Sequence, residues 1–150
     1  MIGSVLVVCT GNICRSPAGE RALAGLCPGL SVTSAGLGAL VGNPADPVTT
    51  EAAMRHFALD LSGHVARQFS TELGLAHDLI LVMEPHHRAD IQRGWPQLSG
   101  RVMLFDHWTG AKGVEDPYRR PPEVHARALT DILRAAEAWA PRLKQKGATA

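Results

Sequence analysis

Ser4-Val5-Leu6-Val7-Val8-Cys9-Thr10-Gly11-Asn12-Ile13-Cys14-Arg15-Ser16-Pro17 is the stretch on which the fold of this chain turns. Ser4–Val8 is a short apolar run, the mark of a parallel strand buried on both faces. Pro17 suits a first helical position and Ser16 the cap before it. A helix is therefore expected over Pro17–Leu26, with Ala18, Ala22, Leu23 and Leu26 on its apolar side. Between strand and helix lies a tight polar loop. Such a loop turns successive backbone N–H groups toward one point and adds the positive end of a helix dipole, which suits a tetrahedral oxyanion. Cys9 at its start and Arg15 at its end turn an anion cradle into a nucleophilic site for phosphate.

Working outward, Pro28-Gly29 breaks the helix and Leu30–Ser34 is expected as a second strand. Gly36–Asp46, rich in small residues, reads as an ordered loop. Asp46 can cap a helix with Pro47 in its first turn, running to about Phe57. Gly63-His64 marks a turn, and Ser70–Leu75 reads as a short helix. Asp78–Met83 is a central strand, Pro85–Trp95 a helix and Val102–Phe105 a fourth strand. Asp106–Arg120 has no regular period. Pro121-Pro122 opens a long helix to about Lys146, with Leu129, Ile132, Leu133, Ala136 and Leu143 as its apolar stripe. Strands alternating with helices imply right-handed crossovers, hence one doubly wound α/β domain over residues 1–150, a four-stranded parallel sheet with helices on both faces. Ligands of such sheets bind beyond the carboxyl ends of the strands, where Cys9 falls.

Composition narrows the function classes. The 150 residues suit a single core, and no apolar run is long enough to span a bilayer. No leader pattern is read, so a cytoplasmic protein without direct membrane insertion is expected. A net charge of +1 with interspersed signs gives no reason to invoke nucleic acid. Three cysteines do not make a disulfide framework; they fit a reducing compartment, and Cys27 reads as structural. His86-His87, adjacent and without a matching Cys or carboxylate spacing, do not read as a metal site.

The residues of the loop divide the chemistry between them. N–H dipoles, the helix N-terminus and Arg15 would stabilise a Cys9 thiolate, which can attack phosphorus in line. Arg15 offers a planar fork that matches two phosphoryl oxygens. Ser16 can donate its hydroxyl to the sulfur. Gly11 and Asn12 are the residues best able to take the positive φ that a curled loop needs. Asp116-Pro117-Tyr118, behind the fourth strand, supplies an acid to protonate the leaving group and then to activate water.

Cys9–Pro17 together with Asp116-Pro117-Tyr118 resembles the low-molecular-weight protein tyrosine phosphatases. Ser34-Ala35-Gly36, Gly42-Asn43-Pro44, Gly63–Gln68 and Asp78–Glu84 match family segments in order over essentially the whole chain. The resemblance implies strand order 2-1-3-4, no cofactor and no metal. It implies a phosphate-binding loop of Thr10, Gly11, Asn12, Ile13, Cys14 and Ser16 between catalytic Cys9 and Arg15, with Asp116 as acid. It implies that Asn12, Ser16, Ser34 and His64 brace the loop. Ser34–Gly42 and Val102–Trp108 are similar to the bacterial subgroup encoded with capsule and exopolysaccharide machinery, whose members dephosphorylate the tyrosine cluster of a partner membrane kinase. Where eukaryotic members carry aromatic residues, this chain has Leu40 and Arg119, so Leu40 and Tyr118 are left as the cleft walls. Arsenate reductases share the loop but use two further cysteines, and this chain has none after Cys27. Protein arginine phosphatases carry threonine where Ile13 stands here; the apolar Ile13 favours an aryl phosphate.

Overall fold

The structure, a computed structural model, describes residues 1–144. Four parallel strands, β1 (Ser4–Cys9), β2 (Ser31–Gly36), β3 (Leu79–Val82) and β4 (Val102–Leu104), lie in the order β2-β1-β3-β4. Val5–Val8 of β1 and all of β3 are buried, as continuous apolar runs in a doubly covered sheet demand. The pleat sorts their side chains. Val5, Val7 and Cys9 join one core layer with Ala18, Leu23, Leu129 and Ile132; Leu6 and Val8 join the other with Phe69, Ile91 and Leu98.

The first layer is covered by α1 (Arg15–Leu26), α2 (Pro47–Phe57) and α5 (Pro122–Leu143), the second by α4 (Pro85–Gly94). A five-residue helix, α3 (Thr71–Leu75), lies between α2 and β3 in the chain. The crossover through α1 runs from β1 to the edge strand β2, whereas β3 adds on the opposite side of β1. The strand order therefore switches at the carboxyl end of β1, where a ligand crevice opens. Fully burying a large aliphatic side chain of these layers contributes about 1.5–3 kcal/mol each.

Most boundaries follow the sequence signals, and the differences have local causes. Asp46 caps α2, its Oδ1 accepting from the Val48 and Thr49 N–H groups at 2.9 and 3.1 Å. Ser70 caps α3 by accepting from Leu73 N–H. The first helix, expected from Pro17 with Ser16 as cap, begins instead at Arg15 behind Cys14, because the Ser16 hydroxyl is recruited elsewhere. β2 starts and ends slightly later than Leu30–Ser34, since its carboxyl end extends to Gly36 beside Cys9. A 3₁₀ turn over Pro96–Arg101, unsignalled by any period, precedes β4. The expected end of the last helix at about Lys146 lies outside the described residues; α5 is described to Leu143.

Candidate active site

Every backbone carbonyl from Cys9 to Ile13 is taken by a donor from outside this stretch. The N–H groups of Leu37, Gly38 and Leu40 donate to the carbonyls of Cys9, Thr10 and Gly11 at 2.9–3.0 Å. His64 Nε2 donates to the Asn12 carbonyl at 2.6 Å, and Asp46 N–H donates to that of Ile13 at 2.8 Å. With these carbonyls drawn outward, the peptide dipoles present their N–H ends to the inside of the curl, where an anion gains most. Gly36 permits this closeness: a Cβ there would stand 2.4 Å from the Thr10 carbonyl oxygen. Cys14, at the N-cap of α1, makes no side-chain cap, and no acidic residue occupies the first turn, so that helix terminus also retains its affinity for anions.

Asn12 fixes the bend. Its φ is +58°, held by three side-chain bonds: Nδ2 donates to Ser16 Oγ at 2.8 Å and Ser34 Oγ at 3.0 Å, and Oδ1 accepts from Arg67 N–H at 2.9 Å. Gly11, expected to share that conformation, does not; a Cβ on it would meet only Ile13 and Leu40 at ordinary distances. Ser34 Oγ in turn donates a hydrogen bond to Glu20 Oε1 at 2.7 Å. The four expected bracing residues, Asn12, Ser16, Ser34 and His64, thus lie in one connected network, with Glu20 and Arg67 as members the sequence reading missed. Glu20 stood four residues beyond Ser16, on the same helix face.

Cys9 Sγ lies 2.9 Å from Ser16 Oγ at the floor. Arg15 is only 2 % exposed. Its Nη1 donates to Glu84 Oε2 at 2.6 Å and to the Val114 carbonyl at 2.8 Å. Nη2 is 3.6 Å from Asp116 Oδ2, and Nε has no partner among the described residues. One edge of the guanidinium is therefore committed to the protein and the other is left for an anion. Glu84 was also missed, although the parallel pairing of Val8 with Val82 sets the residues after β3 beside the loop. Burial works against its charge, but the hydrogen bond and positive charge of Arg15 outweigh it and hold its carboxyl below the usual range.

Asp116 is 47 % exposed at the rim, and its Oδ1 accepts from Tyr118 N–H at 3.1 Å. Tyr118 and Leu40, 37 % and 38 % exposed, line the cleft with Thr10, Ile13 and Cys14. The cleft has a volume of about 130 Å³. Larger hollows elsewhere, about 230 Å³ beside Asp106 and about 550 Å³ between α2 and α5, contain no cysteine. Burial pushes the Cys14 thiol up to about 12, against the opposing hydrogen bond with Thr49, which leaves Cys14 protonated at neutral pH.

His86 and His87 have a carboxylate partner after all. Both rings gather around Glu84 at the start of α4, which corrects the expectation that no carboxylate matches their spacing. Their ligand atoms fall within 4.8 Å of one another, as do those of Cys14, Asp46 and His125. Hydrogen bonds already engage both sets. Glu84 N–H donates to His87 Nδ1 at 3.1 Å, so the proton of the neutral ring is on Nε2, which donates to Thr10 Oγ1 at 2.9 Å. Thr49 Oγ1 lies 2.8 Å from His125 Nδ1. Burial, then the charges of Arg15 and His86, lower the His87 pKa to about 4.

The family model described as low molecular weight phosphotyrosine protein phosphatase matches residues 4–149. The chain belongs to the low-molecular-weight protein tyrosine phosphatase family. It is 48 % identical over 143 residues to the low molecular weight protein-tyrosine-phosphatase Wzb of Escherichia coli K12, covering 95 % of this chain and 97 % of that one. The crystal structure of the tyrosine phosphatase Wzb from E. coli K30 with sulphate superposes with a TM-score of 0.92 at 43 % identity, over 95 % of this chain and 99 % of the other. Vibrio vulnificus Wzb in complex with benzylphosphonate gives a TM-score of 0.92 at 41 % identity, over 95 % and 100 %. This family member is thus a protein tyrosine phosphatase by descent and by fold. Among its described residues no helix is long and apolar enough to cross a membrane.

Proposed function

We propose that this phosphatase hydrolyses phosphotyrosine in two steps through a phosphocysteine on Cys9. In the first, the Cys9 thiolate attacks phosphorus and the P–O bond to tyrosine breaks. Asp116 gives its proton to the departing phenolate oxygen. In the second, Asp116 takes a proton from water, the resulting hydroxide attacks phosphorus, and the P–S bond breaks to return the thiolate. Ser16 donates its hydroxyl to the leaving sulfur, 2.9 Å away. The inward N–H groups and the open edge of Arg15 hold the equatorial oxygens through both steps. Tyr118 and Leu40 flank the aryl ring, and Ile13 disfavours a charged guanidinium in its place.

The observation that carries this reading is Arg15: buried, hydrogen-bonded through Nη1, with Nη2 3.6 Å from Asp116 Oδ2 and Nε unpartnered among the described residues, in one cleft with a cysteine whose loop has its carbonyls bound from outside. Acid quench of the enzyme during turnover of a phosphotyrosine peptide tests it. A phosphoryl group on Cys9 is expected, formed with a burst of dephosphorylated peptide. Its absence at all quench times, with turnover intact, would require direct attack by water.

The physiological substrate we propose is an autophosphorylated membrane tyrosine kinase of polysaccharide export, met on its cytoplasmic side. The support is the likeness of Ser34–Gly42 and Val102–Trp108 to that subgroup. A Cys9→Ser variant used as a trap should retain the phosphorylated kinase from cells and release it to vanadate; retention of other phosphoproteins alone would overturn this assignment.

A further inference from the structure

Arg119 follows Tyr118 on the rim, and its backbone is strained. Its φ is +61°, in the left-handed region that side chains disfavour. A turn over Pro117–Arg120 imposes this, closed by Arg120 N–H donating to the Pro117 carbonyl at 2.9 Å. Asp116 Oδ1 pins the turn from within by accepting from Tyr118 N–H at 3.1 Å. Glycine or asparagine ordinarily takes positive φ in such a turn. Strained residues persist chiefly where a site uses what they hold in place.

What Arg119 holds in place is a cation. Its Cζ lies 5.1 Å from the centroid of the Tyr118 ring, within cation–π range. Tyr118 lines the cleft, so the stacking keeps a guanidinium at the mouth. Nearby, Arg120 and Arg127 both face Glu115, at 3.9 and 3.0 Å. Arg119 forms no ion pair among the described residues, so its fork of donors is uncommitted. Leu40, which also lines the cleft, is exposed and apolar.

We propose that Arg119 is a specificity-determining residue that binds a second anionic group, a phosphate or carboxylate on a residue neighbouring the phosphotyrosine. The enzyme would thereby favour phosphotyrosine in acidic or multiply phosphorylated segments. This rests on the placement of Tyr118 as a wall of the substrate cleft. The contact is at an exposed rim, so it is modest and screened: about two- to fivefold in kcat/KM at low salt, fading as ionic strength rises.

Three phosphotyrosine peptides of one sequence test it, with neutral residues, glutamates or further phosphotyrosines flanking the target, on wild type, Arg119→Glu and Arg119→Gly. Wild type should favour both anionic peptides over the neutral one. Arg119→Gly should level the preference, and Arg119→Glu should reverse it. A preference confined to the multiply phosphorylated peptide assigns the contact to phosphate; an equal preference for glutamate assigns it to charge of either source. Arg119→Gly relieves the backbone strain, so its thermal midpoint checks that the turn survives. An unchanged ratio of anionic to neutral peptide in Arg119→Glu overturns the inference. Failure of wild type to turn over even the neutral peptide, while hydrolysing a small aryl phosphate, would overturn the cleft reading and this inference with it.

Discussion

Arg15 shows how one buried charge divides its work. Nη1 satisfies Glu84 and the Val114 carbonyl, while Nε has no partner among the described residues and Nη2 lies 3.6 Å from Asp116 Oδ2, the edge that the proposed mechanism gives to the equatorial oxygens. An ammonium could keep the Glu84 contact or reach the phosphate, but could not span both. Arg15→Lys should therefore lose nearly as much kcat/KM as Arg15→Ala, about 10²-fold or more. Steady-state kinetics on an aryl phosphate read this, and a lysine variant near wild-type rates would reduce Arg15 to a source of positive charge. Asp116 is the opposite case, an exposed carboxyl aimed by a local turn. Protonation matters only for basic leaving oxygens, so Asp116→Ala should slow phenyl phosphate by about 10²–10⁴-fold and strongly activated esters far less. Equal losses across a leaving-group series would remove it from that role. That Cys9, Arg15 and Asp116 would share one cleft was legible because that combination is rare at that spacing. Glu84 and Arg67 were not, because what recruits them is proximity across strands and loops that no local pattern encodes.

At the scale of elements, the strands and long helices could be read because burial writes a period into the chain. β1 and β3 are unbroken apolar runs, and Asp46-Pro47 announces α2. The start of α1 could not, since tertiary bonds to Cys9 and Asn12 take Ser16 from its expected cap role. The start of α4 stores a further consequence. Glu84 and His87 cap each other there, and His87 is neutral with its pKa lowered to about 4. A depressed histidine pKa means that the unfolded chain binds the proton more readily. Its contribution to stability is full above the reference of about 6.5 and is lost as pH falls toward about 4. The loss amounts to up to ~3 kcal/mol. Glu84, also depressed, acts in the same direction at the lower end of that window. Urea unfolding across this range should show stability falling with acidity, and His87→Gln, which cannot titrate but can still donate to Thr10, should flatten the slope between about pH 6.5 and 5. An identical slope in that variant would show that the ring titrates freely.

Across the whole molecule, the sheet supplies position and the loops supply chemistry. The parallel order β2-β1-β3-β4 brings the ends of β1, β2 and β3 to one crevice, so Cys9, Gly36 and Glu84 meet although they are far apart in sequence. The carbonyls of the Cys9–Ile13 loop are held by hydrogen bonds from Leu37, Gly38, Leu40, Asp46 and His64, none of which belongs to α5. The long helix α5 instead seals the core layer on one face, with Leu129, Ile132 and Trp139 buried and Trp139 Nε1 donating to the Phe105 carbonyl at 2.7 Å. Stability and catalysis should therefore separate. Ile132→Ala removes a fully buried side chain and should cost about 2–5 kcal/mol, seen as a lower denaturant midpoint with an unchanged m-value. Measured well below its melting temperature, the same variant should keep kcat within about twofold of wild type, because Ile132 shares the core layer with Cys9 but none of the hydrogen bonds to the Cys9–Ile13 carbonyls comes from α5. A fall in kcat that tracks the loss of stability would mean that α5 transmits its packing into the phosphate loop, and that the bonds around the loop do not isolate the site from the core beneath it.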